Sequence, residues 1–331
     1  MTRTTLEPPD LSDDRIMRVV CGLRPCRRGG VRIEAERLGS KTIVHNYGQG
    51  GCGVTIGFGC AAVVHEMVRT VADTDEPIGV LGGGVSGMTV ARALLADGYR
   101  VRVYGQKWAG ETTSDLAGAL WLPTGIEPGE TPEQQQRFER ILQRSHEVFA
   151  SLDRDRYGVE SIPVYEPSYA SHCPEYFVGG VIDEPVAIEQ LPIAGPARSG
   201  RGFRTDFVHT PRFLRTLLED VRAGGGERVT TTLRNLDAVR ALPERVLVNC
   251  LGLGAKDLFG DDRMYPGYGV LVHAQPVDLG YVIHDGYKYL FPREDALILG
   301  GCFVADRWDA EPDMAIGREI IAHHRQFFAG R

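Results

Sequence analysis

Apolar positions along the chain change period several times, and each change marks an element. Pro77-Ile78-Gly79-Val80-Leu81 is a short apolar run that stops at a cluster of glycines, as a buried strand does. From Met88 to Asp97 the apolar residues Val90, Leu94 and Leu95 recur at helical spacing, and Arg100-Val101-Arg102-Val103-Tyr104 then alternates with period two. These segments predict a strand, helix, strand unit. Further along, Thr131-Pro132-Glu133-Gln134 combines an N-cap, a proline at the first helical position and a capping-box glutamine. Phe138, Ile141, Leu142, Val148 and Phe149 then share one helical face. Between about residues 161 and 207 short apolar runs alternate with Pro and Gly, the pattern of antiparallel strands joined by loops. His209-Thr210-Pro211 opens a second capped helix that runs to Ala223, and Val229 to Leu233 reads as a strand. Ile316 to Phe328 reads as a closing helix with His323 and His324 on its solvated face.

Composition narrows the partners. A chain of 331 residues, 43% hydrophobic and 24% charged, is long enough for two domains around a sizeable core. A net charge of -7 argues against sequence-independent nucleic-acid binding, which needs clustered Lys and Arg to replace phosphate counterions. No apolar run approaches the roughly 18 to 20 residues of a bilayer span, and Met-Thr-Arg-Thr-Thr is followed by no apolar signal-peptide core. A cytoplasmic location away from membranes is therefore expected. Seven cysteines, an odd number spread widely, fit reduced thiols better than a disulfide framework. Cys21 and Cys26 lie close together, but no second Cys/His pair with zinc-ligand spacing follows, and no metal site is expected.

The glycine cluster carries the first chemistry. Gly82-Gly83-Gly84-Val85-Ser86-Gly87 has the G-x-G-x-x-G spacing, follows a strand, opens a helix and completes its unit within roughly thirty residues, which together point to a dinucleotide site. Gly82 permits the tight turn, Gly84 lets a pyrophosphate approach the backbone, and Gly87 allows close packing of helix on strand. The helix N-terminus offers its unsatisfied N–H groups to the phosphate. An acidic residue usually ends the second strand and binds the ribose hydroxyls, but Gly105, Gln106 and Lys107 stand there. Gln106 can bond a ribose as a neutral amide, more weakly than a charge-assisted bond would. Glu111 is the alternative.

A second glycine-rich segment, His45-Asn46-Tyr47-Gly48-Gln49-Gly50-Gly51-Cys52-Gly53-Val54-Thr55, lies upstream of the first. Downstream come Thr112-Thr113-Ser114-Asp115-Leu116-Ala117-Gly118-Ala119-Leu120-Trp121-Leu122-Pro123 and Arg245-Val246-Leu247-Val248-Asn249-Cys250-Leu251-Gly252-Leu253-Gly254-Ala255. Tyr281 to Asp285, Lys288 to Arg293, Ala296 to Phe303 and Gly22-Leu23-Arg24-Pro25 complete the set. In these segments the chain resembles the D-amino-acid oxidase family, whose own counterpart of His45 to Thr55 stands near the C-terminus. The resemblance spans nearly the whole chain once residues 1 to about 70 are moved behind residue 331, with Ala61 to Val71 as the family's last helix. The chain thus resembles a circularly permuted member of that family. Termini that lie close together and cuts in exposed loops make such a rearrangement tolerable.

The resemblance implies an α/β fold, with a Rossmann-like FAD-binding domain (residues 41–120 and 205–258) and a mostly antiparallel substrate domain (1–40, 121–204 and 259–331). It implies FAD rather than NAD, because Val246 to Ala255 supplies a second glycine approach to the dinucleotide. Expected FAD contacts are Gly50, Gly51, Cys52, Gly53, Val54 and Thr55 near the flavin ring, and Gly82, Gly84, Val85, Ser86 and Gly87 at the pyrophosphate. Gln106 and Lys107 fall at the ribose, Thr112, Thr113, Ser114, Ala117 and Gly118 between pyrophosphate and ring, and Leu236 and Gly252 are further contacts. His45 is expected to be structural. Arg24 and Tyr289 match the residues that grip the substrate carboxylate, a task suited to the planar guanidinium fork. The implied reaction passes a hydride from the α-carbon of an amine or amino-acid substrate to flavin N5, leaving an imine, with O2 as electron acceptor. Whether the chain acts alone or as a homodimer stays open. Two departures bear on the substrate: Leu122 replaces a polar residue, and the loop from His284 to Tyr289 is several residues short, removing most of the usual lid and its second tyrosine. The alternative class is a flavoprotein that binds or assembles without oxidising amines.

Overall fold

The computed structural model of the chain describes residues 5–167 and 180–329. β1 (Ile16–Arg27), β2 (Arg32–Leu38) and β3 (Lys41–Tyr47) lead into α1 (Gly53–Arg69). β4 (Pro77–Leu81), α2 (Val85–Ala96) and β5 (Arg100–Gly105) make the strand, helix, strand unit. α3 (Thr113–Leu116), α4 (Pro132–Ser151) and α5 (Arg154–Tyr157) precede β6 (Val159–Glu166), β7 (Val186–Ile188) and β8 (Gly200–Val208). α6 (Thr210–Ala223), β9 (Glu227–Thr230), α7 (Leu236–Arg240), β10 (Val246–Asn249) and α8 (Gly254–Phe259) follow. β11 (Met264–Ala274), β12 (Val282–Asp285), β13 (Lys288–Pro292), β14 (Leu297–Gly300), β15 (Val304–Ala305) and α9 (Met314–Ala329) close the chain.

Two sheets organise these elements. The first has the order β2-β3-β10-β4-β5-β9, with every neighbouring pair parallel except β2 with β3. Its central strands read as unbroken buried runs, Ile78 to Leu81 and Val246 to Asn249, because the sheet is covered on both faces. α1 and α2 pack one face through Val64, Val68, Met88 and Leu94, while Leu236, Val239 and Leu258 pack the other against Ile43, Leu81 and Leu247. The second sheet runs β1-β11-β14-β13-β12-β6-β8-β7, with β15 on β11, and only β6 and β12 pair in parallel. The molecule is thus an α/β fold with a Rossmann-like parallel sheet beside a mostly antiparallel one.

Local signals correspond closely to the observed elements. Thr131 and Gln134 form the reciprocal capping box of α4, Gln134 N donating to Thr131 Oγ1 at 3.3 Å and Thr131 N to Gln134 Oε1 at 3.1 Å. Three expectations need correction. β2 pairs along its whole length with β3, so the parallel sheet already includes residues 32–38 rather than starting at 41. β8 stays in the antiparallel sheet to Val208, so the chain returns to the parallel sheet through α6 and not at residue 205. His324 is buried, not solvated: α9 lays it over the sheet, where its Nε2 donates to the Gly300 carbonyl at 3.1 Å. Burial brings its pKa down to about 4. Part of the expected strand region between 161 and 207 lies outside the described residues.

Candidate active site

The strands β3, β4, β5, β9 and β10 run parallel, and a cavity of about 750 Å³ opens at their carboxyl ends, where open α/β sheets bind ligands. Its size falls in the roughly 300 to 1,000 Å³ range of ligand sites. From Gly82 after β4, Gln106 after β5 and Thr231 after β9 it extends to the antiparallel sheet, where Arg24, Leu271, His284, Tyr289 and Phe291 form the far end.

The turn after β4 shows why glycines stand there. Gly82 has φ +123°, its N–H donates to the Tyr104 carbonyl at 2.7 Å, and the carbonyl of Cys250 occupies the space of a side chain. One turn later, a Cβ on Gly87 would lie 2.9 Å from the Gly82 carbonyl carbon and closer still to its oxygen, so only glycine lets α2 seat on the turn. The first intrahelical bond of α2 is Met88 N to Gly84 O. The N–H groups of Val85 and Ser86 precede it and border the cavity, with Ser114 Oγ 3.3 Å from Val85 N. α1 ends in the same space: its first bond is Ile56 N to Cys52 O, leaving the N–H groups of Gly53, Val54 and Thr55 ahead of it. Two helix N-termini therefore bring partial positive charge to one cavity. The lining includes Lys107 and Arg24, and among the described residues no Asp or Glu. An elongated dinucleotide with an anionic pyrophosphate fits this arrangement.

All but three of the expected FAD contacts line the cavity. Cys52 sits at the N-cap of α1 but turns its side chain into the core, its Sγ 3.5 Å from the Gln49 carbonyl. Burial holds its thiol well above the ordinary pKa, and pushes Cys250, at the cavity wall, up to about 12. Gly87 lies behind the turn, where it packs helix against strand. Leu236 does not border the cavity: on α7 it packs, half-buried, against the core that holds Val239, and the extended stretch Thr231-Thr232-Leu233 before α7 borders the cavity instead. The reason is that β9 ends at Thr230, and Thr231 N donates to Gly105 O at 3.0 Å, which draws this stretch along the sheet's edge. Glu111 is outside the lining, Gln106 and Lys107 are exposed at its rim, and His45 is fully buried in the core, its Nδ1 3.1 Å from the Asn249 amide.

Sequence reasoning missed the residues that fix the Thr112 loop. Asp115 is buried and accepts from Gly110 N at 2.7 Å, Thr112 N at 2.8 Å and Thr112 Oγ1 at 2.7 Å. The Thr112 hydroxyl proton is thus committed to Asp115. Arg293, 2% exposed, donates to the carbonyls of Asp115 and Ala117 at 2.7 and 2.9 Å and pairs with Asp295, fastening the loop to the second sheet. The buried apolar stretch before Arg293 made it look like an ordinary strand end.

At the far end, β1 carries Arg24 and β13 carries Tyr289. Gly269 leaves the space that the Arg24 guanidinium fills. Nη1 of Arg24 donates to backbone carbonyls, Gly267 at 3.3 Å and Cys302 at 3.4 Å, and among the described residues no carboxylate pairs with it. Tyr289 stacks on Phe291 with centroids 4.3 Å apart. Burial raises its phenol pKa, and the Arg24 guanidinium opposes that rise. The short His284 to Tyr289 connection is a tight hairpin, with His284 opposite Tyr289 and Asp285 opposite Lys288. Tyr287 at its tip lines the cavity and stacks on Phe303, 5.5 Å between centroids.

A glycine-lined cavity along a sheet's carboxyl edge, with two helix N-termini pointing into it, fits the class of oxidoreductases in which a dinucleotide cofactor carries the redox step. The chain belongs to the FAD dependent oxidoreductase (DAO) family, whose model matches residues 78–331. It is 30% identical over 253 residues to a D-amino-acid oxidase of Rubrobacter xylanophilus, covering 73% of this chain and 74% of that protein. It is 30% identical over 258 residues to a D-amino-acid oxidase of Streptomyces coelicolor, covering 75% and 77%. A solved L-amino acid deaminase of Proteus vulgaris with its specific insertion deleted superposes at TM-score 0.49 and 12% identity, over 78% of this chain and 75% of that one. The protein is an FAD-dependent oxidoreductase. No helix among the described residues is long and apolar enough to cross a membrane.

Proposed function

We propose that the protein oxidises the C–N bond of a carboxylate-bearing amine of the amino-acid class, in the manner of its D-amino-acid oxidase relatives. The observation that carries this is Arg24, a guanidinium at the cavity's far end that bonds two backbone carbonyls and the phenol of Tyr289 and, among the described residues, pairs with no carboxylate. A carboxylate supplies the missing counter-charge through a bidentate fork. Bound FAD supplies the two-electron acceptor for the hydride of the α-carbon, and O2 is the proposed final acceptor. The glycine segments at residues 50–55, 82–87 and 252–254 hold the dinucleotide, and the α1 N-terminus favours negative charge near the ring. Tyr287 and Phe303 add apolar surface at the mouth, which suits a substrate larger than alanine. The imine product leaves to be hydrolysed by water.

Anaerobic mixing of the purified holoenzyme with D- and L-amino acids and with simple amines tests this. Carboxylate-bearing amines should bleach the flavin, bulky ones faster than D-alanine, while amines without a carboxylate should not. A flavin bleached by none of them would move the protein to the binding class.

We also propose that the chain is a circular permutation of the family's order. Three observations support this reading. The family match starts at residue 78, the first residue but one of β4, and leaves about a quarter of each relative unmatched. The preceding segment adds β1, β3 and α1 to the same two sheets and the same cavity. Arg325 of α9 bonds the Leu11 carbonyl at 2.8 Å and pairs with Asp13, so residues 11–13 lie against the last described helix. Joining the ends by a short linker and reopening the exposed turn between Asp73 and Pro77 should give a folded protein that binds FAD. Insoluble or flavin-free product from that rearranged gene would count against it.

A further inference from the structure

Tyr289, Phe291 and Arg293 follow one another at alternate positions along β13 and just past its end. The first two line the cavity and stack on each other. Arg293 is 2% exposed, and its Nη1 lies 2.7 Å from the Asp115 carbonyl, 2.9 Å from that of Ala117 and 2.9 Å from Thr210 Oγ1. Asp295 clamps the other side of the guanidinium, accepting from Nε at 2.8 Å and from Nη2 at 2.6 Å. Arginine is almost never buried to this degree unless its fork is engaged, and here every nitrogen has a partner. The carbonyls it holds end α3, a single turn whose last carbonyls have no helical partner. Thr210, at the start of α6, is the other side-chain donor to them, at 3.4 and 3.0 Å.

Those carbonyls belong to the stretch whose residues Thr112, Thr113, Ser114, Ala117 and Gly118 line the cavity. Gly118 rests so closely on the Phe291 ring that a Cβ there would lie 2.1 Å from Cδ2. Beyond it the chain is tied to β8, Val208 N donating to Ala119 O at 3.0 Å and Trp121 N to Asp206 O at 2.7 Å. One short strand and the residue after it thus touch this loop at two points, and the same strand carries the phenol that bonds Arg24 at the far end of the cavity. We infer that Arg293 is a positioning residue for the oxidation: it holds the 112–118 loop, and with it bound FAD, in register with the substrate grip of Tyr289 and Arg24. This rests on the amine-oxidation reading above. A misplacement of about 1 Å between reacting groups costs roughly 10²-fold in rate, so the seam between the two sheets has to be fixed more tightly than apolar packing alone fixes it. Contacts between side chains leave rotamer slack. A buried guanidinium bonded to backbone carbonyls, and itself clamped by a carboxylate, leaves little.

The test compares the native holoenzyme with Arg293→Lys and with Asp295→Ala, which keeps the arginine but removes its outer clamp. Anaerobic flavin reduction is titrated with the amino acid that bleaches the native flavin fastest, and FAD release on serial dilution of each holoenzyme is read from the fluorescence of free FAD. In Arg293→Lys the limiting rate of reduction should fall by roughly 10²-fold, while the apparent dissociation constant of the substrate should move by less than about threefold because Arg24 and Tyr289 keep their places. FAD should bind about tenfold more weakly or worse, since lysine offers a point charge where the fork spans two carbonyls and a carboxylate. Asp295→Ala should repeat both changes to a smaller extent. A native rate with native FAD affinity in Arg293→Lys would remove the arginine from any positioning role, and a loss of rate matched by an equal loss of substrate affinity would assign it to the general stability of the second sheet. If Arg293→Lys yields no soluble protein, the same two readings on Asp295→Ala decide. A native flavin that no amino acid reduces would sink the amine-oxidation reading, and the FAD measurement would still judge the loop: unchanged FAD affinity in both variants overturns its positioning by Arg293, and weakened affinity upholds it.

Discussion

Arg24→Ala is expected to leave FAD bound while raising the apparent dissociation constant for a carboxylate substrate by roughly thirtyfold to several thousandfold. Removing one partner of a desolvated charged pair costs roughly 2 to 5 kcal/mol, and each 1.4 kcal/mol is tenfold. The upper part of that range is favoured here. Nη1 of Arg24 spends its bonds on two backbone carbonyls at 3.3 and 3.4 Å, long enough to be weak, and the substrate would supply its only carboxylate among the described residues. Arg24→Lys keeps the charge but not the planar fork, so it should recover part of the loss and no more. Titrating flavin reduction against substrate concentration separates the two constants: the limiting rate should change less than the dissociation constant. Unchanged affinity in Arg24→Ala would give the residue a purely structural place on β1.

What the sequence made legible was local. The strand, helix, strand unit from Pro77 to Tyr104 and the Thr131–Gln134 box announce themselves because period and capping are properties of neighbouring residues. The glycine turn was legible for the same reason, since its function depends on a spacing of a few residues. What stayed hidden depends on pairings between distant segments. Arg293 reaches the Asp115 carbonyl across 178 positions, so neither partner carries a mark of the other. His324 looked solvated because a polar residue on an amphipathic helix usually is, and the Gly300 carbonyl that satisfies it lies on a strand the helix crosses. Leu236 failed by three residues: a strand that ends early shifts which part of the connection borders the cavity. Arg24 and Tyr289 could be placed by motif, but the absence of a carboxylate beside Arg24 among the described residues, which turns a motif into an argument, needed the structure.

Gly87→Ala should yield a protein that cannot keep its FAD. The added Cβ meets the Gly82 peptide, at 2.9 Å from its carbonyl carbon and nearer to its oxygen, and a backbone carbonyl has no rotamer by which to yield. Either α2 moves off the turn or the turn moves off the sheet, and both displace the Val85 and Ser86 N–H groups from the phosphate. Overpacking of this kind costs roughly 1 to 3 kcal/mol when side chains can adjust, and more when only backbone can. The loss of bound FAD adds to that, because a ligand present at a thousand times its dissociation constant contributes about 4 kcal/mol to the folded state. Gly57→Ala, inside α1 and outside the cavity lining, is the control: its Cβ would meet Thr89 Cγ2 at 3.4 Å and Val85 Cγ2 at 3.7 Å, the edge of ordinary contact, and it should stay yellow. The measurements are the flavin-to-protein absorbance ratio after gel filtration and the melting temperature with and without added FAD. Gly87→Ala should emerge colourless, melt lower, and gain little from added cofactor. If it retains stoichiometric flavin at the native melting temperature, the turn after β4 does not hold the pyrophosphate, and the cofactor must lie elsewhere in the cavity.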